Sequence, residues 1–232
     1  MSNEVLFLTF AILLVSFNLV AFRFGKTYMF VLIAAYSLLM NIFVTKQFTL
    51  FGLDITGGNA LYGATFLLTD LLSEHYSKKD ALRSVFVGFM TMLVFVIATQ
   101  FLIAFTPNDF DFANDAILTL FSVTPRILIG SLIAYAIAQT VDVFIYGWIR
   151  KLTKDKYLFL RNNGSTLISQ FIDSVIFTAI GLTTFTSLGL EGIIPAEIFW
   201  QVTLATYAIK VVVALIDTPF IYLSYAIKPK KN

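Results

Sequence analysis

Cysteine is absent from the 232 residues, which removes disulfides, thiolate metal sites and cysteine nucleophiles and leaves the redox compartment unreadable. Histidine occurs once, as His75. No H-E-x-x-H metal motif, serine-histidine constellation or G-x-G-D-like aspartyl signature supports an intramembrane enzyme. A G-x-x-x-x-G-K-[ST] loop is also missing, so the chain does not hydrolyse ATP itself. No cofactor, metal ion or nucleic-acid partner is expected. Charge is scarce: 13% of residues are charged and 58% are hydrophobic, with a mean hydropathy of +0.85. An ordinary soluble domain is nearer ~45–50% apolar, so composition makes this an integral membrane protein. Neither a soluble domain nor a low-complexity segment interrupts residues 1–232, read as one transmembrane helical domain.

What is present is a series of apolar runs. Crossing ~30 Å of hydrocarbon takes ~20 helical residues. The candidates are approximately 4–22, 28–45, 58–76, 82–105, 125–149, 163–187 and 197–225. The first, MSNEVLFLTFAILLVSFNLVAF, has no basic leader or small-residue cleavage site and reads as a retained span, not a signal peptide. The third is the least hydrophobic. Charge sidedness keeps it: with the N-terminus outside and all seven crossing, the cytoplasmic loops hold Arg23, Lys26, Lys78, Lys79, Arg83, Arg150, Lys151, Lys154, Lys156, Arg161, Lys228, Lys230 and Lys231, out of 16 basic residues in all. The external side holds Lys46 with Glu4, Asp54, Asp109, Asp111, Asp115, Glu191 and Glu197. The expected architecture is therefore an all-α polytopic bundle of seven spans, N-out and C-in, with six spans plus one re-entrant segment as the alternative. Asn114 to Val123 reads as a short interfacial helix, and Thr124-Pro125 as the cap and first residue of the fifth span. Arg126 would then snorkel at the outer boundary or serve as a gate contact. His75 falls outside the polar face of its helix, and a surface position is expected.

Ionisable groups within hydrocarbon are costly and normally face the bundle interior with a partner or a purpose. Here they are Asp70, Glu74, Asp142, Asp173, Lys210 and Asp217. Counting from the cytoplasmic helix ends puts Asp70, Asp142, Asp173 and Asp217 ~9–15 Å from that face, four helices each presenting an acid at similar depth. Each acid also belongs to a polar stripe. Asn59, Tyr62, Gly63, Phe66, Thr69, Asp70, Ser73 and Glu74 share one face of the third segment, opposite a leucine- and alanine-rich face suited to lipid or packed helices. Ser131, Tyr135, Gln139, Asp142 and Tyr146 align in the fifth. Asn162, Asn163, Thr166, Ser169, Gln170, Asp173 and Phe177 align in the sixth, and Thr203, Thr206, Tyr207, Lys210 and Asp217 in the seventh. Converging, these faces would enclose a polar cavity lined with aromatic rings. The alternative for the hydroxyls and amides is interhelical bonding. Lys210 is expected to neutralise Asp217, Asp173 or Asp142, since an unpaired ammonium there is expensive. One lysine leaves surplus negative charge, which argues for a donor-rich or cationic ligand, protonated acids or a coupled cation. Gly57, Gly58, Gly63, Gly164, Gly181 and Pro219 mark where helices bend or approach closely.

Three segments, GNALYGATFLLTDLLSEHYSKKDA, RNNGSTLISQFIDSVIFT and YAIKVVVALIDTPFIYL, resemble the queuosine-precursor transporters, a family grouped with vitamin-uptake transporters and the substrate-binding subunits of energy-coupling-factor transporters. The resemblance implies cyano- and aminomethyl-deazaguanine as cargo, carried across a cell membrane. It implies that Asn59, Tyr62, Asp70, Glu74, Asn163, Gln170, Asp173, Lys210 and Asp217 line or order the site, and Asp142 joins them from the polar stripes. A guanine-like base offers adjacent N–H donors to a carboxylate, a carbonyl to an amide, and a face to aromatic rings. Alternating access by facilitation or proton coupling is the expected mechanism. A binding subunit that borrows an ATPase module is the nearest rival, followed by an intramembrane enzyme, then a channel or a purely structural protein. A homo-oligomer is left open.

Overall fold

The computed structural model describes residues 2–121, 125–184, 194–227 and 229, with only the backbone at 53, 54, 56 and 125–128. The chain forms helices α1 (Asn3–Phe24), α2 (Lys26–Phe43), α3 (Gly58–His75), α4 (Lys78–Ala104), α5 (Asn114–Phe121), α6 (Pro125–Leu152), α7 (Leu158–Phe177) and α8 (Phe199–Ser224). A π turn, Thr178–Leu182, prolongs α7, and Thr183 bridges to Ile194 beyond it. The described residues hold six helices long and apolar enough to cross a membrane: α1, α2, α4, α6, α7 with its π turn, and α8. Expected and observed helix ends agree within a few residues except at α7, which begins five residues earlier than 163. The expected cap at Thr124, the Arg126 side chain, Glu191 and the end of the sixth span at 187 lie outside the described residues, as do Lys228, Lys230 and Lys231.

Local chemistry sets several of these boundaries. Ser2 caps α1 by accepting from the Val5 N–H. Gly25, at φ 112°, then lets the chain reverse into α2 within one residue, a backbone region that side-chain-bearing residues avoid. Ser77 caps α4 by accepting from the Asp80 N–H at 3.1 Å. An all-α reading missed one element. Between α2 and α3, strands β1 (Gln47–Leu50) and β2 (Leu53–Thr56) pair antiparallel, with Gln47 opposite Thr56. Phe51 (φ 50°) and Gly52 (φ 78°) form their two-residue turn, the positive-φ geometry that suits the twist of a hairpin.

Helix α3 is the axis of the bundle. It packs against α1, α2, α4, α6 and α8, and only Asn59, Tyr62 and His75 on it keep partial exposure. The apolar face expected to meet lipid or packed helices meets helices: Ala60, Leu61, Ala64, Leu67, Leu68, Leu71 and Leu72 are buried. That placement explains its low hydropathy, since a helix surrounded by protein has no lipid to satisfy. Its first residues lie beside the end of α2, where a Cβ on Gly57 would be 3.0 Å from the Phe43 carbonyl. Its last residue, His75, stacks on Phe22 at the end of α1, ring centroids 4.6 Å apart. At that same end Lys26, which opens α2, pairs with Asp80, which opens α4, at 3.1 Å. Helix α3 thus runs the full depth of α2, antiparallel to it.

Candidate binding cleft

Four of the polar stripes converge, but into three separate arrangements and not one open chamber. The first is a narrow cleft between α3, α7 and α8, closed tightly enough to leave no room for a water molecule and lined by Asn59, Tyr62, Gly63, Thr166, Gln170, Lys210, Val213, Ala214 and Asp217. Five of the expected site residues are here: Asn59, Tyr62, Gln170, Lys210 and Asp217. Asp173 stands behind them, accepting a hydrogen bond from the Tyr62 hydroxyl and an ion pair from the Lys210 ammonium. Lys210 also lies 5.0 Å from the centre of the Tyr62 ring. Of its three expected partners, Lys210 therefore takes Asp173, and these three side chains tie α3, α7 and α8 together. Asn163 braces α7 to α8, accepting from the Thr218 hydroxyl at 3.0 Å.

With Lys210 committed, Asp217 has no cation. Its Oδ1 and the Gln170 Oε1 are buried, and neither finds a hydrogen-bond donor among the described residues. Two orphaned acceptors in one cleft are costly unless something else supplies the donors. Asp217 sits where α3 and α8 come closest. A Cβ on Gly63 would lie 3.7 Å from Asp217 Oδ2 and only 2.2 Å from Val213 Cγ1. Val213 is β-branched and stiff, so the two helices must separate to admit a methyl. Gly63→Ala should destabilise the protein by about 1–3 kcal/mol through this overpacking, read as a lower midpoint of thermal unfolding in detergent.

The second arrangement lies beside the cleft. Asp70 on α3 and Asp142 on α6 face each other, each with one carboxyl oxygen that finds no donor among the described residues. Ser169 donates to Asp142 Oδ1 at 3.0 Å, and Thr166, whose other side lines the cleft, makes a long contact of 3.5 Å to Asp70 Oδ2. Gln139 continues the network one turn away, donating to Thr65 at 3.1 Å and accepting from Thr69 at 2.9 Å.

The third arrangement closes the far end of the same helices. Glu74, one turn beyond Asp70, is held by Arg161 Nε at 2.9 Å, by the Tyr146 hydroxyl at 2.5 Å and by the Tyr225 hydroxyl. Arg150 reaches in from the end of α6 to the Ser73 and Glu74 carbonyls at 3.0 and 3.2 Å. Burial, with the bond to Glu74 adding to it, pushes the Tyr225 phenol up to about 12, so it remains a donor to the carboxylate throughout the neutral range. Two expectations are corrected here. Arg161, assigned to a cytoplasmic loop, is 2% exposed within α7. The apolar run Leu158-Phe159-Leu160 starts the helix early and carries the arginine inside, the signal that an earlier boundary would have used. His75, expected at the surface, is half-buried between the rings of Phe22 and Tyr225 and bonds Ser224 Oγ at 2.6 Å.

Residues 56–224 match the family described as "Putative vitamin uptake transporter". The chain is 37% identical over 231 residues to the "Probable queuosine precursor transporter" of Bacillus subtilis (strain 168), covering 99% of this chain and 97% of that relative. No solved structure matches. Both descriptions are of transporters, which sets the enzyme reading aside.

Proposed function

Because the chain belongs to the vitamin uptake transporter family, we propose that this multi-pass membrane protein imports queuosine precursors, the cyano- and aminomethyl-deazaguanines, and holds them in the cleft between α3, α7 and α8. The observation that carries the reading is the pair of orphaned acceptors, Asp217 Oδ1 and Gln170 Oε1, in a cleft that also presents the Tyr62 ring. A guanine-like edge supplies adjacent ring and exocyclic N–H donors, which a carboxylate accepts in parallel. The base face can lie against Tyr62, and the Asn59 and Gln170 amides can donate to the base carbonyl. Lys210, neutralised by Asp173, orders the cleft and does not repel an aminomethyl cation.

Transport then requires the cleft to open to each side in turn. The Glu74–Arg161 cluster joins the ends of α3, α6 and α7 to Tyr225 just past α8, which supports its reading as the inner gate. Seven crossings, N-out and C-in, are supported by α3 spanning the depth of α2 and by the gathering of Lys26, Arg150 and Arg161 at one end, with Asn3 bonded to the Thr49 carbonyl of the hairpin at the other. The test is calorimetric binding of both deazaguanines to the purified chain, with guanine and adenine as competitors, followed by uptake into liposomes holding this chain alone. Deazaguanine should bind and guanine should compete, while adenine should compete far more weakly because its edge offers a different donor pattern. Equal competition by adenine overturns edge recognition. Uptake that appears only after ATPase subunits are added makes the chain a binding subunit instead.

A further inference from the structure

We propose that the Asp70–Asp142 pair is the proton-carrying site that couples uptake to a proton gradient, an inference that rests on the transport reading above. The two carboxyl groups come from different helices, face each other beside the same stretch of α7, and belong to residues 2% and 0% exposed. Asp70 Oδ1 and Asp142 Oδ2 have no donor among the described residues. A carboxylate only accepts, so two of them buried face to face with one orphaned oxygen each are best satisfied by a proton held between them.

The surroundings favour a proton over any other cation. The two buried bases nearest in the bundle are already engaged, Lys210 with Asp173 and Arg161 with Glu74. From α7 the pair meets the hydroxyls of Ser165, Thr166 and Ser169, with Ser169 Oγ 3.0 Å from Asp142 Oδ1 and Thr166 Oγ1 3.5 Å from Asp70 Oδ2. From α8 it faces Asp217, and along α3 and α6 it faces Glu74, Tyr62 and Tyr146, none of which brings positive charge. Among the described residues no group of three or more acidic or histidine side chains is gathered to hold a metal ion. A sodium ion would need several oxygen ligands turned toward it.

Thr166 connects this site to the cargo, because it lines the cleft and bonds Asp70. A base seated against Thr166 and Asp217 therefore alters the surroundings of the pair, and a proton gained or lost by the pair alters the cleft. One proton enters from the external water with the cargo and leaves to the cytoplasm when the cleft opens inward.

Two measurements test this. The first is independent of cargo: infrared spectra of the purified protein should contain a protonated-carboxyl band, part of which disappears in Asp142→Asn and in Asp70→Asn. Its absence from the unaltered protein, or its persistence unchanged in both variants, overturns the proposal. The second uses the uncharged cyano-deazaguanine in potential-clamped, sodium-free liposomes with an acid exterior. The unaltered protein should accumulate it several-fold above the outside concentration. Asp142→Asn should bind it within about threefold of the unaltered affinity and only equilibrate it. Accumulation that ignores the pH gradient, or that sodium alone drives, overturns the coupling. Failure of the unaltered protein to bind any deazaguanine, with the infrared result intact, overturns the cargo assignment and leaves the proton site standing. Should Asp142→Asn not fold, Asp70→Asn and the unaltered protein carry the same comparisons.

Discussion

Arg161→Met is expected to destabilise the protein by about 3–5 kcal/mol, the cost of stripping a buried carboxylate of its nearer counter-charge and leaving only Arg150 Nη1 at 4.0 Å. Glu74 and Arg161 are both almost wholly buried, and Arg161 makes two bonds to the carboxylate. It also donates to the Asp155 and Lys156 carbonyls at 3.0 and 3.3 Å, so its loss releases the α6–α7 turn as well. The midpoint of thermal unfolding in detergent should fall sharply. Glu74→Leu combined with Arg161→Met should recover at least half of the loss, because neither charge is then stranded. Recovery should be incomplete, since Tyr146 and Tyr225 lose their acceptor. A double variant as unstable as the single one would show that the arginine acts through the turn and not through the carboxylate. If the cluster is the inner gate, the recovered double variant should bind cargo yet fail to hold a gradient.

Asp217→Asn should have the opposite profile, with little change in folding and a large loss of binding. The carboxylate has no partner among the described side chains to lose, and amide replacement keeps its volume. Against cargo, the change exchanges two charge-assisted bonds for at best one ordinary bond and one N–H facing another N–H. A loss of about 2–4 kcal/mol, roughly 30- to 1000-fold in Kd, follows. Calorimetric titration with cyano-deazaguanine measures it. Asp173→Asn is the informative contrast, because it leaves Lys210 without its counter-charge and should lower stability together with affinity. Unchanged binding in Asp217→Asn would remove this carboxylate from the recognition of the base.

Much of this protein was legible as pattern. Helix ends followed from apolar run length, and the acid-bearing stripes of α3, α6, α7 and α8 do face inward. The hairpin was not legible, because two four-residue strands between long apolar helices give no period of their own. Nor was the pairing of charges. Asp70 and Glu74 are one helical turn apart on one face, which suggested a common role. Yet that single turn separates a carboxyl that faces another acid, Asp142, from one bonded to Arg161. The difference comes from partners 72 to 87 positions away along the chain, beyond the reach of any local period. Basic residues were sorted by side of the membrane; Arg161 does lie at the same end of the bundle as Lys26 and Arg150, but sidedness says nothing about depth.

The turn that Arg161 holds is itself under tension. Lys154, Asp155 and Tyr157 all adopt left-handed backbone angles, φ 49°, 62° and 60°, without a glycine among them, a conformation costing such residues roughly 1–2 kcal/mol each. Arg150 and Arg161, the same guanidinium groups that grip the Glu74 end of α3, hold Asp155 and Lys156 in the middle of that bend. Tightening and loosening are thereby linked: when the arginines let go of the acid, the bend has reason to uncoil, and it does so facing water with lysines on it. A protease or a dye attached there would register whether the grip of the arginines on Glu74 is made or broken.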